Sequence, residues 1–515
     1  MSIIGSLNIA KSALTVNQFA LNVVSNNVAN MNTEGYMKQR VNLMELEGYT
    51  PYTSANGSEI YKGGGVGISN ISQYVNDFQL GDLMGQNSDL SALNSKLAGL
   101  NDLADVLNEL GDGALSSALS EFYSAAQYLT QDPSNSTLRI NYVNAAETVA
   151  ETFNSLSSAL SEKRESLVGS FDNVGSIENS QAGVIVDDVN RLLEQIADLN
   201  DTIVKTSSKG TPSNELLNQR NQIMQELSNY VDFTSTSNSN GSVNISIAGA
   251  QVVKGSNQVA QLSITTGDVA NPAKVQIQTM DEPPQAKISD IRNAIDGGQL
   301  KGILDAGSND AEGITFQKVL TQINNMANVF ATSVNTIQTQ TGAMCITLDA
   351  NGNKVLTQSN EPLFVIPADG SPINASNIKL NSAISDNPNL VAAAKVEVDV
   401  DGNPVDNKAV GDTNNLKEIL ALQDKNFTEL GGVTILSSLE NLVTKVGLEA
   451  GDLKAKVDAQ SSVVEQATTN YLSAGGVNLD EELIDMIKYQ RAYEAASRVV
   501  SACNQMLQVL VNLGA

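Results

Sequence analysis

From Ile3, alternating steps of four and three residues reach Leu7, Ala10, Leu14, Asn17, Leu21, Val24, Val28 and Met31, and every one of these except Asn17 is apolar. That period predicts an amphipathic helix with a heptad seam. Between residues 1 and 33 the sole charged side chain is Lys11; the other polar positions are Ser, Asn, Thr and Gln. The C-terminus repeats the design. From Met486 the same steps reach Tyr489, Tyr493, Ala496, Val500, Cys503, Leu507 and Leu510, and Ala492, Val499, Met506 and Leu513 widen the stripe. After Arg498 no residue is charged. Two helices closing one globular core would also carry apolar stripes, but their backs would normally hold Lys and Glu. An apolar stripe with a neutral polar back suits a helix surrounded by protein. The expectation is therefore a pair of terminal helices that pack on each other and on neighbouring subunits. Ile3, Leu7, Leu14, Leu21, Val24 and Val28 are the interface positions of the first. Met486, Tyr489, Tyr493, Val500, Leu507 and Leu510 are those of the second. Asn17 either fixes register or faces water or a neighbour, and Cys503 reads as a small packed hydrophobe.

Between the ends the pattern is mostly helical. Leu90, Leu93, Leu97, Leu100, Ala104 and Leu107 form a seam that the run Gly111-Asp112-Gly113 is expected to break. A further helix carries Leu115, Leu119, Phe122, Ala126 and Leu129 and stops at Asp132-Pro133-Ser134. Helical patterns continue over 136–206 and 213–230. Short alternating runs then appear, among them 242–247 and 274–278, bounded by Asn-Gly and Pro-Pro signals that predict strands and hairpins. A helix over 313–341 separates this region from a second strand-like one at 344–410, with turns at Asn351-Gly352 and Asp401-Gly402. Helices return from Asn414. The fold class expected is mainly α with β inserts: a long coiled-coil-like rod formed by the N- and C-terminal segments, with one or two small β-rich domains inserted. The boundaries drawn are 1–45 with 474–515 for the terminal helical core, 46–230 with 309–342 and 412–473 for the helical rod, and 231–308 with 343–411 for the β-rich outer part.

Composition narrows the function classes. With 30 Lys plus Arg against 57 Asp plus Glu the formal charge is −27, which repels nucleic acid and anionic lipid. Neither partner is expected. Histidine is absent, which removes the usual general base and the commonest zinc ligand. The two cysteines, Cys345 and Cys503, make no paired framework. No cofactor, metal or catalytic residue is expected, and the chain reads as a non-enzyme. Nothing reaches the ~18 apolar residues of a membrane span, and the N-terminus has no basic, apolar and cleavage-site order of a secretory signal.

At the end of the first helix stands Ser25-Asn26-Asn27-Val28-Ala29-Asn30-Met31-Asn32-Thr33-Glu34-Gly35-Tyr36. It resembles the signature of the flagellar axial proteins, those of rod, hook and hook-associated segments, with Glu34 where that family usually has Pro. Clustered Asn and a Gly-Tyr turn also suit a helix stop. Asn26, Asn27, Asn30, Asn32, Gly35 and Tyr36 carry the likeness. Gly476-Val477-Asn478-Leu479-Asp480-Glu481-Glu482 and Tyr489-Gln490-Arg491-Ala492-Tyr493 are similar to the C-terminal block of the hook-associated protein 1 family. Asn478 or Asp480 is a candidate N-cap. Inside the chain, 214–223 resembles a helix of that family, Gly297-Gly298-Gln299-Leu300-Lys301-Gly302-Ile303-Leu304 resembles one of its strands, and 411–415 resembles the start of a later helix. The resemblance implies a subunit of the hook–filament junction on the bacterial exterior, exported without a cleaved signal. It implies a homo-oligomeric ring, the hook protein and a second hook-associated protein as neighbours, and a cytoplasmic export chaperone. A different axial subunit, hook or rod, and an adhesin displayed on the same rod are the alternatives.

Several sharper patterns have plainer readings. The run 62–67 lacks the Lys-Ser/Thr ending of a nucleotide loop and reads as a turn before a strand. Residues 349–353 and 399–403 echo calcium loops, but their Gly falls at the fourth position, so both read as hairpin turns. The carboxylate pairs Asp187-Asp188 and Glu481-Glu482 are expected on solvated helix faces.

Overall fold

A computed structural model describes the 515-residue chain except at residues 1–2, 34, 48–50, 54–55, 57–58, 62, 74, 208–212, 282, 289, 366, 400–404, 406–408 and 514–515. The N-terminal seam folds as α1 (Ile3–Ala29). It leads into an antiparallel pair, Gln39–Leu46 with Gly65–Gln73. Then come α2 (Asp77–Val106), α3 (Ser116–Leu129), α4 (Ser136–Val168), α5 (Val174–Glu178), α6 (Gln181–Ser207) and α7 (Asn214–Tyr230). Sheets of four strands (within 234–258) and three strands (within 260–288) follow, all antiparallel. The chain continues through α8 (Gly298–Gly307), α9 (Phe316–Thr339), a small sheet with α10 (Ser382–Asp386), α11 (Asn414–Ala421), α12 (Ile435–Gly475) and α13 (Leu479–Leu513). Helix starts follow side-chain chemistry. Asn76 caps α2, Asn135 caps α4, Thr315 caps α9 and Thr434 caps α12, each oxygen accepting from backbone N–H groups of the first turn.

One continuous hydrophobic core joins the middle helices, the two larger sheets and α12. Its centre is aromatic: Phe122 meets Tyr142 at 5.1 Å and Phe330 edge-on at 5.3 Å between ring centroids. Among the described residues, none from α1 or α13 belongs to this core. The terminal helices share a separate, small cluster in which Ala20, Val23 and Val41 pack with Ile68, Ile71 and Tyr489. Mainly α with β inserts is thus the fold observed.

Three local expectations are corrected. The run Gly111-Asp112-Gly113 does not break the helix. Residues Leu107–Leu115 form a π-helical segment that joins α2 to α3, because Leu107 and Leu115, both fully buried, hold its two ends in the core. The glycine-rich run at 297–304 is no strand; it forms the start of α8. Its glycines serve close helix packing instead: a Cβ on Gly302 would stand 2.2 Å from the Ala92 carbonyl oxygen and 2.9 Å from the Lys96 nitrogen of α2.

The region 344–410 holds less strand than its alternation suggests, with strands only at Ala343–Leu348, Lys354–Gln358 and Ala394–Lys395 among the described residues. Much of the rest is irregular chain lying against helices whose amide side chains replace a sheet neighbour. Asn335 Nδ2 donates to Phe364 O at 2.9 Å while its Oδ1 accepts from Phe364 N at 2.8 Å. Gln338 treats Leu390 O and Ala392 N alike, and Asn328 and Asn154 donate to Ile373 O and Ile378 O. Buried backbone groups need partners, and amides supply both polarities. The turn at 351–352 is present: Asp349 Oδ1 accepts from Asn351 N and Asn353 N, each at 2.8 Å, and these bonds hold the Asp349 carboxyl below its ordinary pKa. The turn at 401–402 lies outside the described residues, as do Glu34 and Lys62.

Candidate functional site

The two chain ends meet as α1 and α13. On α1, Val24 is buried, while Ile3, Leu7, Leu14, Leu21 and Val28 are half-buried. Met31 lies beyond the helix and is exposed. The most buried line runs through Ala10, Val16, Ala20, Val23, Val24 and Asn27, offset from the heptad seam. Two causes combine. A straight helix drifts from a strict seven-residue repeat, and α1 packs both on α13 and on the strand pair Gln39–Leu46 with Gly65–Gln73. The second strand comes close: a Cβ on Gly65, whose φ is +112°, would lie 2.4 Å from Ser12 Oγ. Asn17 donates to Ala13 O of its own helix at 2.7 Å.

On α13, Ala496 and Cys503 are buried. Met486, Tyr489, Val500 and Leu507 are half-buried, whereas Gln490, Tyr493 and Leu510 are exposed. Much apolar surface is left over. Ile484 is 66% exposed, Ile487 59% and Val511 69%, and on α1 Ile4 is 61% exposed. Apolar surface of this kind, continuing on α13 into a stretch with no charge after Arg498, marks an interaction face.

At the base of the pair the Asn-rich motif forms a junction. Asn27, 1% exposed, uses its whole amide. Nδ2 donates to Gln39 O and to Glu482 Oε2, both at 2.9 Å, and Oδ1 accepts from the Tyr36 hydroxyl at 2.8 Å and from Gln39 N at 3.0 Å. Asn26 Nδ2 donates to the Tyr36 oxygen at 3.2 Å. Asn30 closes the helix end by donating to Asn26 O and Asn26 Oδ1. Asn32 is exposed on the following turn, and Gly35 takes φ +75°, the left-handed conformation that glycine supplies. Lys38 Nζ lies 2.9 Å from Glu481 Oε2 and 2.8 Å from Glu482 Oε1, and Lys38 N donates to Gly475 O at 2.8 Å. Asn478 is the cap of α13, its Oδ1 accepting from Asp480 N and Glu481 N; Val477 before it is half-buried and Leu479 after it is exposed.

Glu482 corrects an expectation. Its partner Glu481 faces solvent, but Glu482 is 1% exposed. It can be buried because Lys38 and Asn27 stand where its carboxylate needs a cation and a donor. Burial pushes the Tyr36 hydroxyl up to about 12, the Asn26 hydrogen bond opposing and the Glu482 charge adding. Burial works to lower Lys38, but its bonds to Glu482 and Glu481 outweigh that and hold it above its ordinary value.

Sequence patterns also miss the buried arginines. Arg139 on α4 donates to the carbonyls of Pro133, Pro388, Asn389 and Val391. Arg220, inside the run 214–223, donates to Gly241 O at 2.6 Å and Asn200 Oδ1 at 3.2 Å, tying α7 to the first β sheet. An arginine on an amphipathic helix gives no sign of burial until the loop it binds is placed.

The junction offers hydrogen bonds, one ion-pair cluster and apolar faces, which is chemistry for holding segments together. Among the described residues no group of three or more His, Cys, Asp or Glu side chains could hold a metal, and no helix is long and apolar enough to cross a membrane. A cleft of about 720 Å³ between α4, α6 and α8 has acidic walls, but there Glu165 accepts from Ser176 and Asp188 pairs with Arg191.

Residues 100–354 match the profile of the helical domain of flagellar hook-associated protein FlgK. Residues 7–36 match flagella basal body rod protein, and 468–513 match the C-terminal region of flagellar basal body rod FlgEFG protein. Flagellar hook-associated protein 1 of Bacillus subtilis is 27% identical over 529 residues, covering 98% of this chain and 97% of that one. Its Salmonella typhimurium counterpart is 24% identical over 580 residues, covering 98% and 99%. The flagellar hook junction protein FlgK from Burkholderia pseudomallei shares the fold, with a TM-score of 0.57 at 16% identity over 76% of this chain and 99% of that one.

Proposed function

The chain belongs to the flagellar hook-associated protein 1 family, and from that premise we propose that it is a structural subunit of the bacterial flagellum at the junction between hook and filament. The observation that carries the reading is the division of hydrophobic surface. The rod has a complete core of its own, while the terminal helices, of which α1 carries one charge and α13 none after Arg498, leave apolar faces open. Burying one Leu or Val side chain contributes ~1.5–3 kcal/mol, so neighbouring copies that cover these faces gain a large share of their binding free energy there. The finer assignments rest on the same logic. Residues 1–45 with 474–515 are the axial packing part, with Ile3, Leu7, Leu14, Leu21, Val24 and Val28 meeting Met486, Tyr489, Tyr493, Val500, Leu507 and Leu510 or a neighbour. The helical rod and the β-rich inserts extend from that part. The ring is homo-oligomeric, adjoining the hook protein on one side and the second junction protein on the other. Export passes through the flagellar apparatus, with a cytoplasmic chaperone covering the C-terminal face until release. The role is structural, with no reaction catalysed.

The hook or rod reading has less support, since the matches to rod proteins fall on the two ends and the helical middle matches the hook-associated domain. A strain lacking this chain is expected to build hooks without filaments and to release flagellin into the medium, with filaments restored when the chain is supplied. Normal filaments in the deletion strain would end the junction assignment.

A further inference from the structure

Two stretches distant in sequence meet at Glu482 in the first turn of α13: Asn27 at the end of α1 and Lys38 in the lead into the first strand both reach its carboxylate, and Lys38 N also donates to Gly475 O, the last residue of α12. Asn27 and Glu482 stand 455 positions apart. Glu482 Oε2 takes a hydrogen bond from Asn27, and Oε1 pairs with the Lys38 ammonium at 2.8 Å. Asn27 in turn fixes both backbone groups of Gln39. We infer that Glu482 is a positioning residue that locks the bases of α1 and α13 to the end of α12, setting the direction in which the terminal helix pair leaves the rod. The inference rests on the junction reading for its purpose, though the lock itself is a property of the single chain.

The chemistry requires a carboxylate. A buried charge kept by one cation and one amide leaves an uncompensated group behind when any member is removed. Gln at 482 would turn an N–H toward Lys38 or toward the Asn27 amide, so a neutral isostere of the same size should fail too. Asn27 and Glu482 stand on α1 and α13, and among the described residues neither helix contributes a side chain to the main core. A purely stabilising ion pair within the rod is therefore a different claim, with a different readout.

The test uses the full chain with N27A, E482A, E482Q and the double N27A/E482A. The first readout is hydrogen exchange of the Lys38 and Gln39 amides in the purified protein. Losing a buried charge-assisted contact is expected to speed their exchange about tenfold in each single variant. Because Glu482 acts on Gln39 through Asn27, the double should be no faster than N27A alone. The main thermal transition should not move. The second readout is the fraction of hooks that keep filaments after shear, expected to fall in the same variants.

Unchanged exchange in E482A and E482Q would overturn the lock, as would effects of N27A and E482A that multiply in the double. A thermal transition lowered along with exchange would also overturn it, by placing Glu482 in the rod's own stability. A wild-type chain that fails to restore filaments sinks the junction reading, while the exchange measurements still decide the lock.

Discussion

Removal of residues 479–515 is expected to leave the main thermal transition within about 2 °C of the full chain while abolishing filament attachment. The expectation follows from where the core ends. Its buried members run from Met37 to Tyr471, and among the described residues none comes from α13. The truncated chain loses the partner of α1 and the small cluster around Ala20, Val23 and Val41, to which Tyr489 contributes. It also loses Glu482, so Lys38 and Asn27 return to water. These are losses at the base of the tails and leave the aromatic centre of the rod untouched. Calorimetry of the secreted or purified truncate, beside electron microscopy of a strain that makes it, checks both halves. A transition lowered by more than about 5 °C would mean that α13 is built into the rod's stability.

Arg139→Ala is expected to do the reverse, lowering the stability of the rod by about 3 kcal/mol or more. Arg139 is 0% exposed, and burial pushes its guanidinium down to about 10, with a small opposing contribution from Cys345. Its Nε donates to Pro133 O at 2.7 Å and its Nη1 to Val391 O at 2.8 Å, with Pro388 O and Asn389 O at 3.2 Å. One side chain thereby joins the start of α4 to the irregular stretch after α10. Alanine would leave a large cavity and strip these carbonyls of their donor. In a rod of this size the main transition should fall by about 3 °C, and Arg139→Lys should recover only a minor part, because one ammonium cannot span the same acceptors. A melt within about 1 °C of wild type would show that the stretch holds without its arginine.

Much of this architecture is legible in the sequence where the cause is local. The helices α1 and α13, the strands at 243–247 and 273–279, and the Asn478 cap all follow from period or from a side chain acting on its own neighbours. Cys503 is buried as a small hydrophobe should be. The misses share a non-local cause. Glu482 reads as solvated because nothing within α13 announces Lys38 and Asn27. The glycines of 297–302 look like a strand or turn until α2 lies against them. The stretch 359–393 has the apolar content of strands, but its backbone partners are amides on α4 and α9 that nothing in its own sequence announces. The family likeness points to the hook-associated assignment but carries no sign of which carboxylate is buried.

The most direct test of the central claim is amide exchange of the dilute, purified subunit. Covering of α1 and α13 by adjacent copies should be what makes them rigid, so in the single molecule the outer parts of both helices, residues 5–20 and 490–511, should exchange within about tenfold of an unstructured chain. Amides of α4, α6 and α9 in the same sample should be slowed by about a thousandfold or more. Equal protection of the outer tails and the rod would contradict the account.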